Sequence, residues 1–321
     1  MLINEKLSIY RVKLPLPLRL NHVYSYAIKG VEGWCLIDTG LNTDQGREAW
    51  LQFMEKENIA HQDIKAIYIT HAHPDHVGAA GWLQQLTGSP VYISAEDAKS
   101  VMNWKVSAQN EDSPLNEFFI HNGMPPELAR SSGTEGRRMA SYSMPLPTLS
   151  IMKTSVPIQL GDHQYWPIKT PGHSEGHICF FNPEFGVLLS GDHLLARITS
   201  NISFFPDRVP DPLKDYLQSL DSNRSLNCNV VLPAHGNPFE NMVKRIDELV
   251  AHHTERLELM KNHATGGATA YEISRQVFSP DLDKMEQPIA MSETMAHLMY
   301  MLHKGELILA EKNGIAFFST L

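Results

Sequence analysis

Only three cysteines are scattered through the 321 residues, Cys35, Cys179 and Cys228, and no C-x-x-C pair is among them. An odd, widely spaced set excludes a disulfide framework and a zinc ribbon. What remains is small buried apolar residues in a reducing compartment. Long apolar runs are missing as well, since no stretch approaches the ~20 residues that a bilayer-spanning helix needs. The opening MLINEKLSIYRVKLPLPL mixes charge and proline with its apolar residues and lacks the continuous hydrophobic region of a secretory signal. Basic charge is scarce, 27 Lys and Arg against 36 Asp and Glu for a net charge of -9, so no overall field draws a polyanion to the surface. Internal repeats and low-complexity tracts are absent. The expectation is a soluble cytoplasmic protein without membrane contacts.

What is present is the composition of a folded enzyme-sized chain, 42% hydrophobic and 20% charged. The length suits one large domain plus a small one. Strands are expected at 7–14, 23–28 and 34–38, followed by a helix capped by Asn42 or Thr43, with Ala49, Trp50, Phe53 and Met54 at helical spacing. The β-branched run 64–70 reads as a buried strand leading into His71. A helical pattern over 78–86 then leads to a strand at 91–94, and this alternation argues an α/β arrangement. Residues 96–150 read as an insertion, helical at first and then an irregular loop over 130–147, of the kind often used as an active-site lid. Strands return at 156–160, 165–169, 177–182, 186–190 and 230–233, with helices at 212–221 and 238–263. Beyond Gly266-Gly267, two helices and a hairpin with Asn313-Gly314 as its turn suggest a small winged-helix-like domain from about 264.

The chemistry is concentrated in T-H-A-H-P-D-H-V-G at 70–78. His71, His73, Asp75 and His76 put four donors in six residues at the end of a strand. Imidazole and carboxylate suit zinc, manganese or iron(II), and a catalytic ion takes about three protein ligands with one position open. One ion leaves donors idle, whereas two can share them if other segments contribute. T-P-G-H at 170–173, L-S-G-D at 189–192 and L-P-A-H-G at 232–236 bring His173, Asp192 and His235, each at a strand end beside Gly or Pro. In an α/β sheet such turns gather along one edge, where ligands bind.

With these motifs in this order and spacing, the sequence resembles the metallo-β-lactamase superfamily over roughly residues 1–250. The resemblance implies a four-layer αββα sandwich, with a catalytic domain over 1–250 and a linking helix plus winged-helix-like domain over 251–321. It further implies that His71, His73 and His173 hold one divalent ion and that Asp75, His76 and His235 hold a second. Asp192 would bridge the two. Zinc is the first choice of metal, with iron or manganese as alternatives. True zinc β-lactamases lack a histidine at the position of His76 or carry Cys in place of Asp192, and flavodiiron reductases carry Glu in place of His73. The full set looks instead like the superfamily's glyoxalases, lactonases, thioesterases, phosphodiesterases and nucleases. The reaction expected is hydrolysis of a small ester, thioester or lactone by a metal-activated hydroxide, with Asp75 orienting the nucleophile. A phosphodiesterase or endoribonuclease is the alternative, and a regulatory protein with little turnover is a third reading.

Other polar residues carry weaker signals. His177 and His193 are read either as supports for neighbouring ligands or as plain strand residues, and Arg137 and Arg138 either as reaching an anionic substrate or, in preference, as a solvated loop pair. Phe204 and Phe205 could be pocket walls or core, and His252-His253 a surface feature. From 264 onward four basic residues face seven acidic ones, a net of -3. That balance is poor for gripping phosphates, so a nucleic-acid partner is not expected, while a homodimer stays open.

Overall fold

The computed structural model describes residues 1–17, 19–107 and 114–321. Positions 108–113 of the expected insertion therefore lie outside the described residues. A seven-stranded sheet is laid down in chain order. It starts with β1 (Leu2–Asn4), β2 (Ile9–Pro15), β3 (His22–Gly30) and β4 (Gly33–Ile37), each antiparallel to the one before. From β4 the neighbours run parallel, which needs a crossover at each step. Helix α1 (Asp44–Lys56) leads to β5 (Ile64–Tyr68), and α2 (Pro74–Val77) and α3 (Ala80–Thr87) lead to β6 (Val91–Ile93). Then α4 (Ala95–Ser107), α5 (Pro114–His121) and α6 (Pro126–Ser141) lead to β7 (Leu149–Ile151). Thr43 caps α1 by accepting from the Gly46 amide, as its position before the apolar periodicity predicts.

A second sheet has five strands, β8 (Ile158–Leu160), β9 (His163–Lys169), β10 (Ile178–Asn182), β11 (Val187–Gly191) and β12 (Val230–Pro233). Only β11 and β12 are parallel, joined through α7 (Pro212–Asn223). The chain ends in α8 (Met242–His263), α9 (Ala270–Val277), α10 (Glu286–His303) and the hairpin of β13 (Leu307–Lys312) and β14 (Ile315–Thr320). Asn313 and Gly314, with φ of 53° and 75°, make the turn that their sequence signals. Thr269 and Glu272 form a reciprocal cap on α9.

Three apolar clusters define four layers. Tyr26, Ile28 and Ile37 of the first sheet meet Tyr165, Ile178, Phe180 and Leu189 of the second. On the far side of the first sheet, Leu36 and Ile67 pack with Trp50, Phe53, Leu83 and Val101 of the helices. On the far side of the second, Cys179, Phe181 and Leu188 pack with Leu220, Ile246, Leu249 and Leu298. The result is an αββα sandwich. Strands β10 and β11 are buried at every position, which is why their sequences run apolar without alternating. Each large side chain buried this way contributes about 1.5–3 kcal/mol.

Three expectations fail. The segment 130–147, read as an irregular loop, is helical to Ser141. Its glycines each disfavour helix by about 1 kcal/mol. Packing overrides them, with Ala129 buried beside Phe119 and Met124, and Met139 against the first sheet's cluster. His253, read as surface, is fully buried. It shares one helical stripe with Ile246, Leu249, Val250, Leu257 and Met260, and its Nδ1 lies 3.0 Å from Nε2 of His297 on α10. Val243, which the amphipathic spacing of 238–263 predicts on the apolar side with Ile246 and Leu249, is instead exposed in the first turn of α8.

Burial, with His297 next, pushes His253 down to about 2, and burial pushes His297 down to about 4. Both rings are neutral in the fold while the unfolded chain takes up protons below the ordinary histidine value near 6.5. Stability from this pair is therefore present at pH 7 and lost as pH falls toward the folded values. Neighbouring Glu293, raised by burial to about 7, works in the opposite direction. In His253→Leu, urea midpoints between pH 7 and pH 5 should give a loss of stability about 1–2 kcal/mol smaller than the parent's. An unchanged loss would mean that His253 is not held neutral.

Candidate metal centre

Strands β9, β11 and β12 all run in one direction, because β10 is antiparallel to both β9 and β11 while β12 is parallel to β11. Their C-terminal ends share an edge of the second sheet, and β5 ends beside it. From β5 the chain passes through Ile69 and Thr70 to His71, then to His73 as N-cap of α2, with Asp75 and His76 in its first turn. Thr170-Pro171-Gly172 carries β9 to His173, Gly191 carries β11 to Asp192, and Ala234 carries β12 to His235. Two of the flanking glycines are required. Gly172 has φ 134°, and a Cβ there would sit 2.4 Å from that of Tyr216, while one on Gly191 (φ 51°) would sit 2.8 Å from His177 Nε2.

These turns bring all seven predicted donors together. His71 Nε2 lies 3.0 Å from His73 Nδ1 and 3.1 Å from His173 Nε2. His235 Nε2 lies 3.4 Å from Asp75 Oδ2, and His76 Nε2 lies 3.7 Å from the same oxygen. The Asp192 carboxylate stands between the two groups, each 3.5 Å contact reaching His173, His76 or His235. Three sets have ligand atoms close enough to share an ion: His71, His73 and His173; Asp75, His76 and His235; and His71, His76 and Asp192.

Hydrogen bonds on the far side of each ring decide what faces inward. The Thr70 hydroxyl donates to Asp38 Oδ2 at 2.8 Å, so at 2.9 Å from His71 Nδ1 it must accept the ring proton. His76 Nδ1 donates to Asp38 Oδ2 and His173 Nδ1 to the Asn201 carbonyl, both at 2.8 Å. His235 Nδ1 is turned toward the His22 carbonyl at 3.4 Å. Nε2 of His71 and of His173 are thus bare in the neutral rings, two lone pairs 3.1 Å apart with no hydrogen between them. That contact is repulsive unless a cation is shared. Among the described residues, His76 Nε2 and Asp192 Oδ1 are likewise buried without any hydrogen bond. Buried groups rarely go unpaired, and the donor chemistry fits divalent metal.

Electrostatics agree. Burial, then the surrounding histidines, hold His71 well below the ordinary range, and burial with His173 pushes His73 down to about 3. Burial works against charge on His76 and His235 too, but Asp192 and Asp75, joined at His76 by Asp38, outweigh it. They hold His76 well above the usual value and raise His235 to about 10. Where no other positive charge compensates the carboxylates, protons on these two rings do so.

Two supporting carboxylates, Asp38 and Asp97, escaped the sequence reading. Asp38, in the left-handed region at φ 59°, also accepts the Thr70 amide at 2.8 Å. Its setting, a strand then Asp-Thr-Gly, has the same format as the candidate donor turns, but Asp38 read only as the last residue of the strand 34–38. Asp97 is buried and accepts from the Ala72 amide at 2.8 Å, the Ser174 hydroxyl at 2.7 Å and the Gly176 amide at 2.8 Å. It pins the loop after His71 to the loop after His173. His177 accepts from the Asp192 amide at 3.1 Å and so orients that carboxylate. Neither ring nitrogen of His193 has a hydrogen-bond partner among the described residues. Phe204 is core, 6.0 Å from Phe118, and Phe205 is half-buried beneath Arg208. On α6, Arg137 reaches Thr134, and Arg138 reaches the Tyr142 hydroxyl and Met285.

Residues 18–235 match the family model described as Metallo-beta-lactamase superfamily. The chain belongs to that superfamily. Residues 257–321 match the Metallo-beta-lactamase-like, C-terminal domain. The chain is 26% identical to the probable metallo-hydrolase YqjP of Bacillus subtilis over 98% of both chains. It is 28% identical to a metallo-beta-lactamase family protein from Thermus thermophilus, with a TM-score of 0.86 and 98% of each chain covered. A more distant relative, at 23% identity over 76% of this chain and 64% of its own length, is an atrochrysone carboxyl ACP thioesterase of Aspergillus fumigatus. The chain is accordingly a metallo-hydrolase. No helix among the described residues is long and apolar enough to cross a membrane.

Two measurements bear on the centre. Asp97→Asn keeps the shape but turns an amide NH₂ toward one of three donors, and metal affinity should fall about 10-fold or more by chelator competition. Affinity equal to the parent's would remove Asp97 from the support. Adding zinc to chelator-stripped protein at pH 7 in weak buffer should release protons from His76 and His235, about two per chain at saturation. Uptake without proton release would contradict the raised values of these rings.

Proposed function

We propose that this chain is a dinuclear metal-dependent hydrolase of a small ester, thioester or lactone. His71, His73 and His173 would hold one ion and Asp75, His76 and His235 the other, with Asp192 between them. Zinc is the first choice of metal, with iron or manganese able to occupy the same donor set. What supports two ions rather than one is the position of Asp192, whose carboxylate lies 3.5 Å from His173 on one side and from His76 and His235 on the other. Metal bound here would supply hydroxide at neutral pH and polarise the oxygen of the group under attack.

The protein's own groups have distinct tasks. With Nδ1 protons committed to Thr70, Asp38 and Asn201, the His71, His76 and His173 rings are held against turning and keep those protons out of the reaction. Burial would raise Asp75, but His76 and His235 outweigh it and bring it down to about 2. A base that weak accepts few protons at pH 7, so Asp75 orients the nucleophile by accepting a hydrogen bond rather than by deprotonating it. The thioesterase among the relatives favours an acyl substrate. The order of α9, α10 and the hairpin is that of a winged-helix-like domain, but its charge of -3 from residue 264 onward argues against a grip on RNA or DNA.

A panel of lactone, acyl thioester, aryl phosphodiester and single-stranded RNA, with metal-loaded and chelated protein, tests the proposal. Turnover of the lactone or thioester, abolished by chelator, is expected. In Asp192→Ala, metal content should drop from two ions per chain and kcat fall by about 10² or more. Activity confined to the phosphodiester or RNA would replace this reading with a nuclease. No chelator-sensitive turnover, or an Asp192→Ala variant with two ions and full rate, would overturn it.

A further inference from the structure

The carbonyl that orients His173 belongs to a segment with no regular structure of its own. Residues 192–211, between β11 and α7, contain neither helix nor strand, so the position of Asn201 is set by what the segment touches. On one side Arg245 of α8 donates to the carbonyls of Leu195 and Ile198, both at 2.8 Å. On the other side the segment is held by α10, within the region matched to the C-terminal domain. The Phe204 amide donates to the Ser292 carbonyl at 3.0 Å, and the Ser203 and Ser292 hydroxyls lie 3.0 Å apart.

The direction of these bonds is fixed. Ser292 Oγ donates its one proton to the Ile289 carbonyl at 2.8 Å. It must therefore accept from Ser203, whose own oxygen accepts from Asn201 Nδ2 at 2.9 Å. Asn201, oriented by its side chain, offers its backbone carbonyl to His173 Nδ1 at 2.8 Å. Ser292 is buried, at 2% exposure, so loss of its hydroxyl would not be made good by solvent. A continuous hydrogen-bonded path thus runs from the middle of α10 to a donor of the metal centre. Its neighbours Ile202 and Phe204 are buried in the same cluster as Met291 and Met295 of α10.

We propose that Ser292 is a positioning residue of the metal centre. Through Ser203 and Asn201 it fixes the carbonyl that aims His173, and the C-terminal region thereby sets the affinity of the three-histidine group for metal. This rests on the reading of His173 as a ligand. The role is positional because Ser292 touches neither a ligand ring nor any reacting group.

The test uses the full-length chain with cobalt(II) as probe. Metal affinity is measured by competition with a chromophoric chelator, and coordination by the ligand-field absorption spectrum. Urea midpoints are measured alongside. Ser292→Ala should weaken cobalt binding by about 10-fold, the low end for residues supporting a ligand, and should alter the spectrum. Ser203→Ala should do the same, and the double variant should be no worse than either alone, because the two act in one chain. Glu311→Ala, on the exposed hairpin, should leave binding and spectrum as in the parent. Parental cobalt affinity and spectrum in Ser292→Ala overturn the proposal, whatever the urea midpoint shows. If Ser292→Ala does not fold, Ser203→Ala decides, and parental binding there overturns it equally. A parent chain that binds no cobalt or zinc would overturn the metal-centre reading itself, and this inference with it.

Discussion

The organising constraint in this molecule is that bare imidazole nitrogens and carboxylate oxygens are forced within 3.0–3.7 Å of one another in a buried site. Left to themselves such groups repel or take up protons, as the raised His76 and His235 do. They converge because each is delivered by a strand end whose position is decided elsewhere. Strands β9, β11 and β12 are locked by ladders and by apolar clusters on both faces of the sheet, and β5 by its parallel partners in the first sheet. The favourable energy of the sandwich core is distributed over dozens of side chains, so it can hold a locally unfavourable donor cluster in register until a cation reverses the sign of the interaction.

Holding the ends of strands is not enough, because a ring on a turn can still rotate. The second requirement is met by a layer of acceptors. Asp38 reaches both His71, through Thr70, and His76, while Asp97 joins the His71 loop to the His173 loop. His177 aims Asp192, and backbone carbonyls aim His173 and His235. These groups come from α4, the β4–α1 junction, the residue just before β10, the start of β3 and the segment after β11. Most of the layers of the fold therefore contribute to the orientation of one small cluster.

This division explains what could be read from the chain beforehand. The candidate donors share a sequence format, an apolar strand followed by a donor and a Gly or Pro, and seven of them in four such turns make a coordination pattern legible. The supporting layer has no comparable mark. Asp38 reads as the last residue of the strand 34–38 and Asp97 as an ordinary residue at the helical start of the insertion, because local sequence cannot show what a carboxylate faces across the fold. The carbonyls of Asn201 and His22 are backbone atoms and have no signature at all. Helix α6 was hidden by Gly133 and Gly136, whose local preference loses to packing. His253 was hidden by its polarity, although its spacing from Ile246, Leu249, Leu257 and Met260 already put it on the buried stripe.

The same physics bears on how metal and fold depend on each other. A cation that binds the folded cluster and not the unfolded chain stabilises the fold by RT ln(1 + [M]/Kd), roughly 4 kcal/mol when free metal exceeds Kd a thousandfold. Part of that energy would go into displacing protons from His76 and His235. The remainder tightens turns that belong to both sheets, and through Asn201 it reaches α10. The C-terminal helices are therefore not a passive appendage in energetic terms. They share a core with Phe119, Met124, Phe204 and Leu220, so ordering the metal-side segment and burying the tail are parts of one cooperative packing unit.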